Sequence, residues 1–126
     1  MPNEVKRSTR VAERVREELS WLLTRDIRDP RVVGTVVSRV EMTDDLRLAK
    51  VWVRSLEHGD DPDRRKQLLI GLESATSLIR RAVTNKVGLR TAPEFRFTYD
   101  DGQDNTTKVE LLLAQIRDEE KNRPGS

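Results

Sequence analysis

The chain has 126 residues, of which 35% are hydrophobic and 37% charged, enough apolar mass for one modest core and too little for two domains. Lys and Arg number 24 against 22 Asp and Glu, a formal net charge of +2, and there is one histidine and no cysteine, so disulfides, thiolate metal sites and cysteine nucleophiles are excluded. No run approaches the roughly 18 apolar residues of a membrane span, and the polar stretch from Met1 to Arg10 has no signal-peptide core, so a cytoplasmic location is expected.

From Ser8 to Ile27, the residues Val11, Val15, Leu19, Leu22 and Leu23 recur at helical spacing and form one apolar stripe. Asp29-Pro30 ends that helix, because a residue before proline is pushed out of the α region. Thr35 to Thr43 then alternates, with Val36, Val40 and Met42 on one face and Arg39 and Glu41 on the other. Leu48 to Leu56 alternates again, Ala49, Val51 and Val53 against Lys50, Trp52 and Arg54. Thr43-Asp44-Asp45 supplies a turn between them, so the two segments read as an antiparallel hairpin.

Asp61-Pro62-Asp63 is a helix start, with Asp61 as N-cap, Pro62 at the first helical position and Asp63 favouring the dipole. The helical pattern runs to Val87 on the stripe Leu68, Leu72, Ala75, Ile79, Ala82 and Val83. Unbroken, it would span roughly 36 Å, long for so small a domain. A bend is expected at Ser74-Ala75-Thr76-Ser77, whose hydroxyls compete for backbone bonds. Phe95, Phe97 and Tyr99 alternate with Arg96 and Thr98 as a third strand, expected to form the heaviest layer of the core. Thr107-Lys108-Val109-Glu110 is a capping-box pattern leading into Val109, Leu112, Leu113 and Ile116, a last helix. The order is helix, strand, strand, bent helix, strand, helix: an α+β domain with helices covering one face of a three-stranded sheet. Residues 1–9 are expected to be a flexible N-terminus, 10–117 the domain and 118–126 a charged, disordered tail.

The small net charge hides a polarised distribution. Residues 77 to 96 carry five cations, Arg80, Arg81, Lys86, Arg90 and Arg96, against Glu94 alone, whereas residues 100 to 126 carry seven acids against four bases. Around the bend, Arg80, Arg81, Lys86 and Arg90 stand with Thr84 and Asn85, which can hydrogen-bond phosphate oxygens. The open sheet face would bring together Arg39, Lys50, Trp52, Arg54 and Arg96, either a stacking platform for single-stranded RNA or long charged chains lying over a tryptophan. On the first helix, Arg7, Arg14, Trp21 and Arg25 fall in one sector, and Trp21 is expected to close the edge of the core rather than stack on a base. Nothing points to catalysis. The acids near His58 (Asp60, Asp61, Asp63) and those in the turn Asp100, Asp101 and Asp104 read as helix starting and solvated turn, and no phosphate-binding Gly-rich loop or nucleophile motif occurs. No enzyme activity, metal, cofactor or small-molecule substrate is expected.

Several local strings, in this order and spacing, resemble the ribosome-binding factor A family over roughly residues 10 to 116. They are Arg10-Val11-Ala12, Ile27-Arg28-Asp29-Pro30-Arg31, Val40-Glu41-Met42-Thr43-Asp44-Asp45-Leu46 and Ala49-Lys50-Val51-Trp52-Val53. Downstream come Leu72-Glu73-Ser74-Ala75, Ile79-Arg80-Arg81, and Pro93-Glu94-Phe95-Arg96-Phe97 leading to Tyr99-Asp100. The resemblance implies a single KH-like domain of the type II order that joins the small (30S) ribosomal subunit and its 16S rRNA. It also implies a part in processing the rRNA 5′ end and in growth in the cold. The family replaces the Gly-x-x-Gly loop of ordinary KH domains with an interhelical Ala-x-Gly kink; here that position reads Ala75-Thr76-Ser77, without the glycine. The candidate RNA-binding residues are Arg80, Arg81, Lys86 and Arg90, flanked by Arg31, Arg10 and Arg14, on a monomer. Two other readings stay open: a free-standing KH-type binder of single-stranded RNA, and a protein-binding module whose basic residues are only solvated.

Overall fold

The computed structural model describes residues 6–56, 61–101, 113, 116 and 117. Helix α1 (Arg7–Arg25) buries Ser8, Ala12, Val15, Leu19, Leu22 and Leu23. It begins inside the stretch expected to be flexible, because Ser8 is buried and its hydroxyl donates to Asp44 Oδ1 in the hairpin turn at 3.2 Å. It also ends before Ile27: the N–H groups of Asp26 and Ile27 both donate to the Leu22 carbonyl, so the chain leaves the helix while Ile27 still reaches the core.

Strands β1 (Thr35–Met42) and β2 (Leu48–Ser55) form the expected antiparallel hairpin, with Ala49, Val51 and Val53 fully buried. The facing of β1 differs from the expected alternation. Val37 pairs with Val53 and Arg39 with Trp52, leaving Ser38 as an extra residue in a β-bulge. One added residue reverses the period-two phase, so Val37, not Val36, joins Val40 in the core. The Ser38 hydroxyl donates to the Trp52 carbonyl at 3.1 Å and to Asp100 Oδ2 at 2.6 Å, which ties the bulge to the end of the third strand.

Helix α2 (Pro62–Ser74) starts as expected, the Asp61 carboxylate accepting from the Asp63 N–H at 3.0 Å. Helix α3 (Thr76–Val87) follows after a break at Ala75, whose φ of −93° and ψ of 2° leave the helical well without entering the left-handed region. The Ala75 N–H is shared between the carbonyls of Gly71 and Leu72, and the Thr76 hydroxyl donates to the Leu72 carbonyl at 3.1 Å. The bend is thus made by ordinary backbone angles and local hydroxyl bonding, and Ser77 lies inside α3. Ser77→Gly is therefore expected to cost about 0.5 kcal/mol in urea titration, the usual penalty for helical glycine. Unchanged or higher stability would show that the bend needs permissive angles at that position.

Strand β3 (Glu94–Tyr99) runs parallel to β2, giving the order β1-β2-β3, with the α2–α3 pair as the crossover that a parallel connection requires. Because β3 is an edge strand, only Phe95 is fully buried; Phe97 and Tyr99 pack from the rim, with the Phe95 and Phe97 rings 6.1 Å apart. The heaviest layer is instead aliphatic: Val15, Leu19, Val32, Val51, Val53, Leu72, Ile79 and Val83 are all under 2% exposed. Of the expected last helix, Leu113 and Ile116 are helical and exposed; Val109, Leu112 and the tail 118–126 lie outside the described residues.

A close crossing lies at Gly71. A Cβ there would lie 2.8 Å from Val32 Cγ2 and 3.1 Å from Arg31 Cβ, so α2 meets the loop after α1 backbone against side chain. The signal in the sequence was a glycine inside an otherwise helical pattern.

Candidate nucleic-acid interface on the bent helix pair

Helix α3 turns Ile79 and Val83 inward, which forces its basic residues outward on both sides of that stripe. Residues 80 and 81 share a flank with Ser77, Asn85 and Ala92, where they border a shallow depression, while Lys86 faces a separate groove beside α1. Of the cations read as one cluster in the sequence, Arg80 and Arg81 therefore lie on one surface and Lys86 on another, because 3.6-residue periodicity carries Lys86 well around the helix from Arg81.

They also differ in what they can do. Arg80 donates from Nε to the Pro93 carbonyl at 2.9 Å and from Nη2 to the Ala92 carbonyl at 3.1 Å, so it latches α3 to the loop that delivers β3. Arg81, Lys86 and Arg90 are exposed, and none forms a salt bridge with another described residue. Asn85 is exposed beside Arg81, and Thr84 borders the same depression with its hydroxyl buried and without a hydrogen-bond partner among the described residues. Gly88, at φ 82°, ends the helix with its N–H on the Thr84 carbonyl and turns the chain toward Arg90.

On α1, Arg10 and Arg14 are exposed. Arg31 is held elsewhere: its Nε and Nη2 grip both oxygens of Asp29, the closest contact being 2.6 Å, and its backbone N–H donates to the same carboxylate. The Arg31 side chain and backbone hold the Asp29 carboxyl below the usual carboxylate range. A folded-state pKa that is depressed stabilises the protein above the unfolded value and loses that contribution as pH falls through the folded value, below about pH 4. Asp29→Asn is thus expected to flatten part of the acid limb of a stability-versus-pH series, with the neutral-pH fold retained.

On the open sheet face charged side chains lie over the tryptophan and pair with one another. The Arg39 guanidinium lies 3.9 Å from the Trp52 ring centroid and pairs with Glu41 at 3.7 Å, while Arg96 pairs with Glu94 at 3.8 Å. Asp100 accepts from Ser38, and Asp101 pairs with Arg65 at 3.8 Å, so these acids brace the fold. Among the described residues no group of three His, Cys, Asp or Glu side chains could hold a metal ion, and no helix is long and apolar enough to cross a membrane. His58 and Asp104 lie outside the described residues. Trp21, expected at a closed core edge, is 59% exposed, with the Arg25 guanidinium 5.2 Å from its ring centroid.

A mixed β1-β2-β3 sheet backed by α1 and a broken α2–α3 pair, with no Gly-x-x-Gly, is a KH-like domain of the type II order. The chain belongs to the ribosome-binding factor A family, whose model matches residues 7–113. It is 53% identical over 118 residues to the ribosome-binding factor A of Sorangium cellulosum, covering 94% of each chain. It is 43% identical over 117 residues to that of Gemmatimonas aurantiaca, covering 92% of this chain and 78% of the relative. Among solved structures, the Thermus thermophilus ribosome-binding factor A crystal structure superposes with a TM-score of 0.63 at 18% identity, covering 73% of this chain and 94% of that one, a likeness of fold. A second set of Thermus thermophilus coordinates, fitted into a cryo-EM map of a complex of that factor with the 30S subunit, has a TM-score of 0.56 at 20% identity over 69% of this chain and 88% of that one.

Proposed function

We propose that the protein is a non-catalytic assembly factor of the small ribosomal subunit. It binds the free 30S particle through 16S rRNA, as a cytoplasmic monomer, and assists late maturation, including processing of the rRNA 5′ end, with a role in growth in the cold. The observation that carries this reading is family membership over residues 7–113, joined to exposed cations on α3 and α1 without salt-bridge partners among the described residues. A phosphate backbone is the partner that such a surface suits. Arg81 and Arg90 are the leading phosphate contacts, with Arg10 and Arg14 flanking and Lys86 meeting the RNA from the groove beside α1; Arg80 and Arg31 contribute by holding the loops beside them.

Co-sedimentation with purified free small subunits, mature ribosomes and naked 16S rRNA tests it. The protein pellets with free subunits and is released by salt, with a slope of log affinity against log salt of about −2 to −3 for three phosphate contacts. Equal binding to translating ribosomes, or a flat salt response, overturns the reading.

A further inference from the structure

The groove between α1 and α3 is chemically unlike the basic flank of α3. It measures about 340 Å³, its floor is apolar (Leu22, Ala82, Val83), and its wall is Trp21. Its charged rim balances, Arg25 and Lys86 against Glu18 and Asp26. Balanced charge gives no net attraction for a run of phosphates, but the mixture of donors and acceptors matches the edge of a nucleobase, which carries both. Trp21 is 59% exposed, with the Arg25 guanidinium over its ring, and an indole with an arginine stacked near it is a flat, polarisable surface on which a base stacks. Arg14 and Arg7 stand one and two heptads before Trp21 on the same sector of α1, both exposed, and can follow the sugar-phosphate chain away from the groove.

We propose that this groove receives one unpaired base of single-stranded RNA, stacked on Trp21 and read at its edge by the charged rim. The inference rests on the reading that the protein binds ribosomal RNA, and it adds a contact of a different kind: phosphates bind at Arg81 and Arg90, a base at Trp21.

Two measurements test it separately from that reading. In the first, the full chain carrying Trp52→Phe, so that Trp21 is the sole tryptophan, is titrated with hexauridylate. Trp21 emission is expected to be quenched saturably, and addition of Trp21-independent salt-screened competitors such as inorganic phosphate should not reproduce the quenching. In the second, Trp21→Phe and Trp21→Leu are compared for affinity to free small subunits at several salt concentrations. Leu is expected to weaken binding about 10-fold, Phe much less, and neither should change the salt slope, because no phosphate contact is lost. Unquenched emission overturns the proposal, as does wild-type affinity of Trp21→Leu. Quenching by hexauridylate without any subunit binding by the parent protein would uphold the groove and overturn the assembly-factor reading. Ultraviolet crosslinking of Trp21 to a ribosomal protein instead of a nucleotide would mean that the groove docks protein, and would also overturn the proposal.

Discussion

Reversing Arg81, Lys86 and Arg90 to Glu together is expected to lower affinity for the free small subunit by on the order of 100-fold at moderate salt, taking each lost charged contact as about 1 kcal/mol. The three side chains are exposed and form no salt bridge with a described residue, so the folded state loses little when they change. The magnitude of the salt slope should fall by about 1 to 2 at the same time, since the phosphate neutralisations at Arg81 and Arg90 disappear. Arg80 differs from these three in being a structural contact. Its guanidinium holds the carbonyls of Ala92 and Pro93, and reversing it would detach the loop before β3 and confuse a folding defect with a binding defect. Changing Trp52 and Arg54 to Ala on the open sheet face should leave subunit binding nearly unchanged. The opposite ranking, measured by co-sedimentation, would move the interface to the sheet.

The second large effect concerns stability. Gly71→Val is expected to destabilise the protein by about 2 to 3 kcal/mol in denaturant titration, the upper part of the range for forcing methyl groups into a filled contact. The first added atom already falls 2.8 Å from Val32 Cγ2, and Val32 is 1% exposed with no room to withdraw. Gly71→Ala sets the same clash against the roughly 1 kcal/mol by which alanine is the better helix former, so its net loss is smaller. Combining Gly71→Ala with Val32→Ala should recover part of the steric cost, and the resulting coupling between two touching residues identifies the crossing as the cause. Gly71→Val at wild-type stability would show that the loop after α1 does not pack on α2 in solution.

These two experiments divide along what could and could not be read in the chain. Helix α1, the hairpin, the Asp61-Pro62 helix start and the break near Ala75 were legible because each depends on residues within a few positions of one another: an i, i+3, i+4 stripe, an alternation, a cap, a run of hydroxyls. The phase of β1 was not, because Ser38 is expelled from the ladder by bonds to Trp52 and to Asp100, the latter 62 residues away. The roles of the arginines were equally hidden. Arg31, Arg80 and Arg81 carry the same charge in the sequence, yet one grips Asp29, one latches two carbonyls, and one is exposed without a salt bridge to a described residue.

By itself, then, the sequence determined the kinds and order of the elements from α1 to β3, the apolar side of the helices and of β2, and the stretch where basic residues gather, since local periodicity and capping depend on near neighbours alone. Only the tertiary structure decided that β3 lies parallel at an edge, which leaves Phe97 and Tyr99 half-covered, and that Gly71 meets Val32. It also decided that the basic stretch divides between an exposed flank of α3 and a groove walled by Trp21. The physical reason is that packing brings together residues from distant parts of the chain, and a charge or a small side chain acquires its role from whichever atom it then faces.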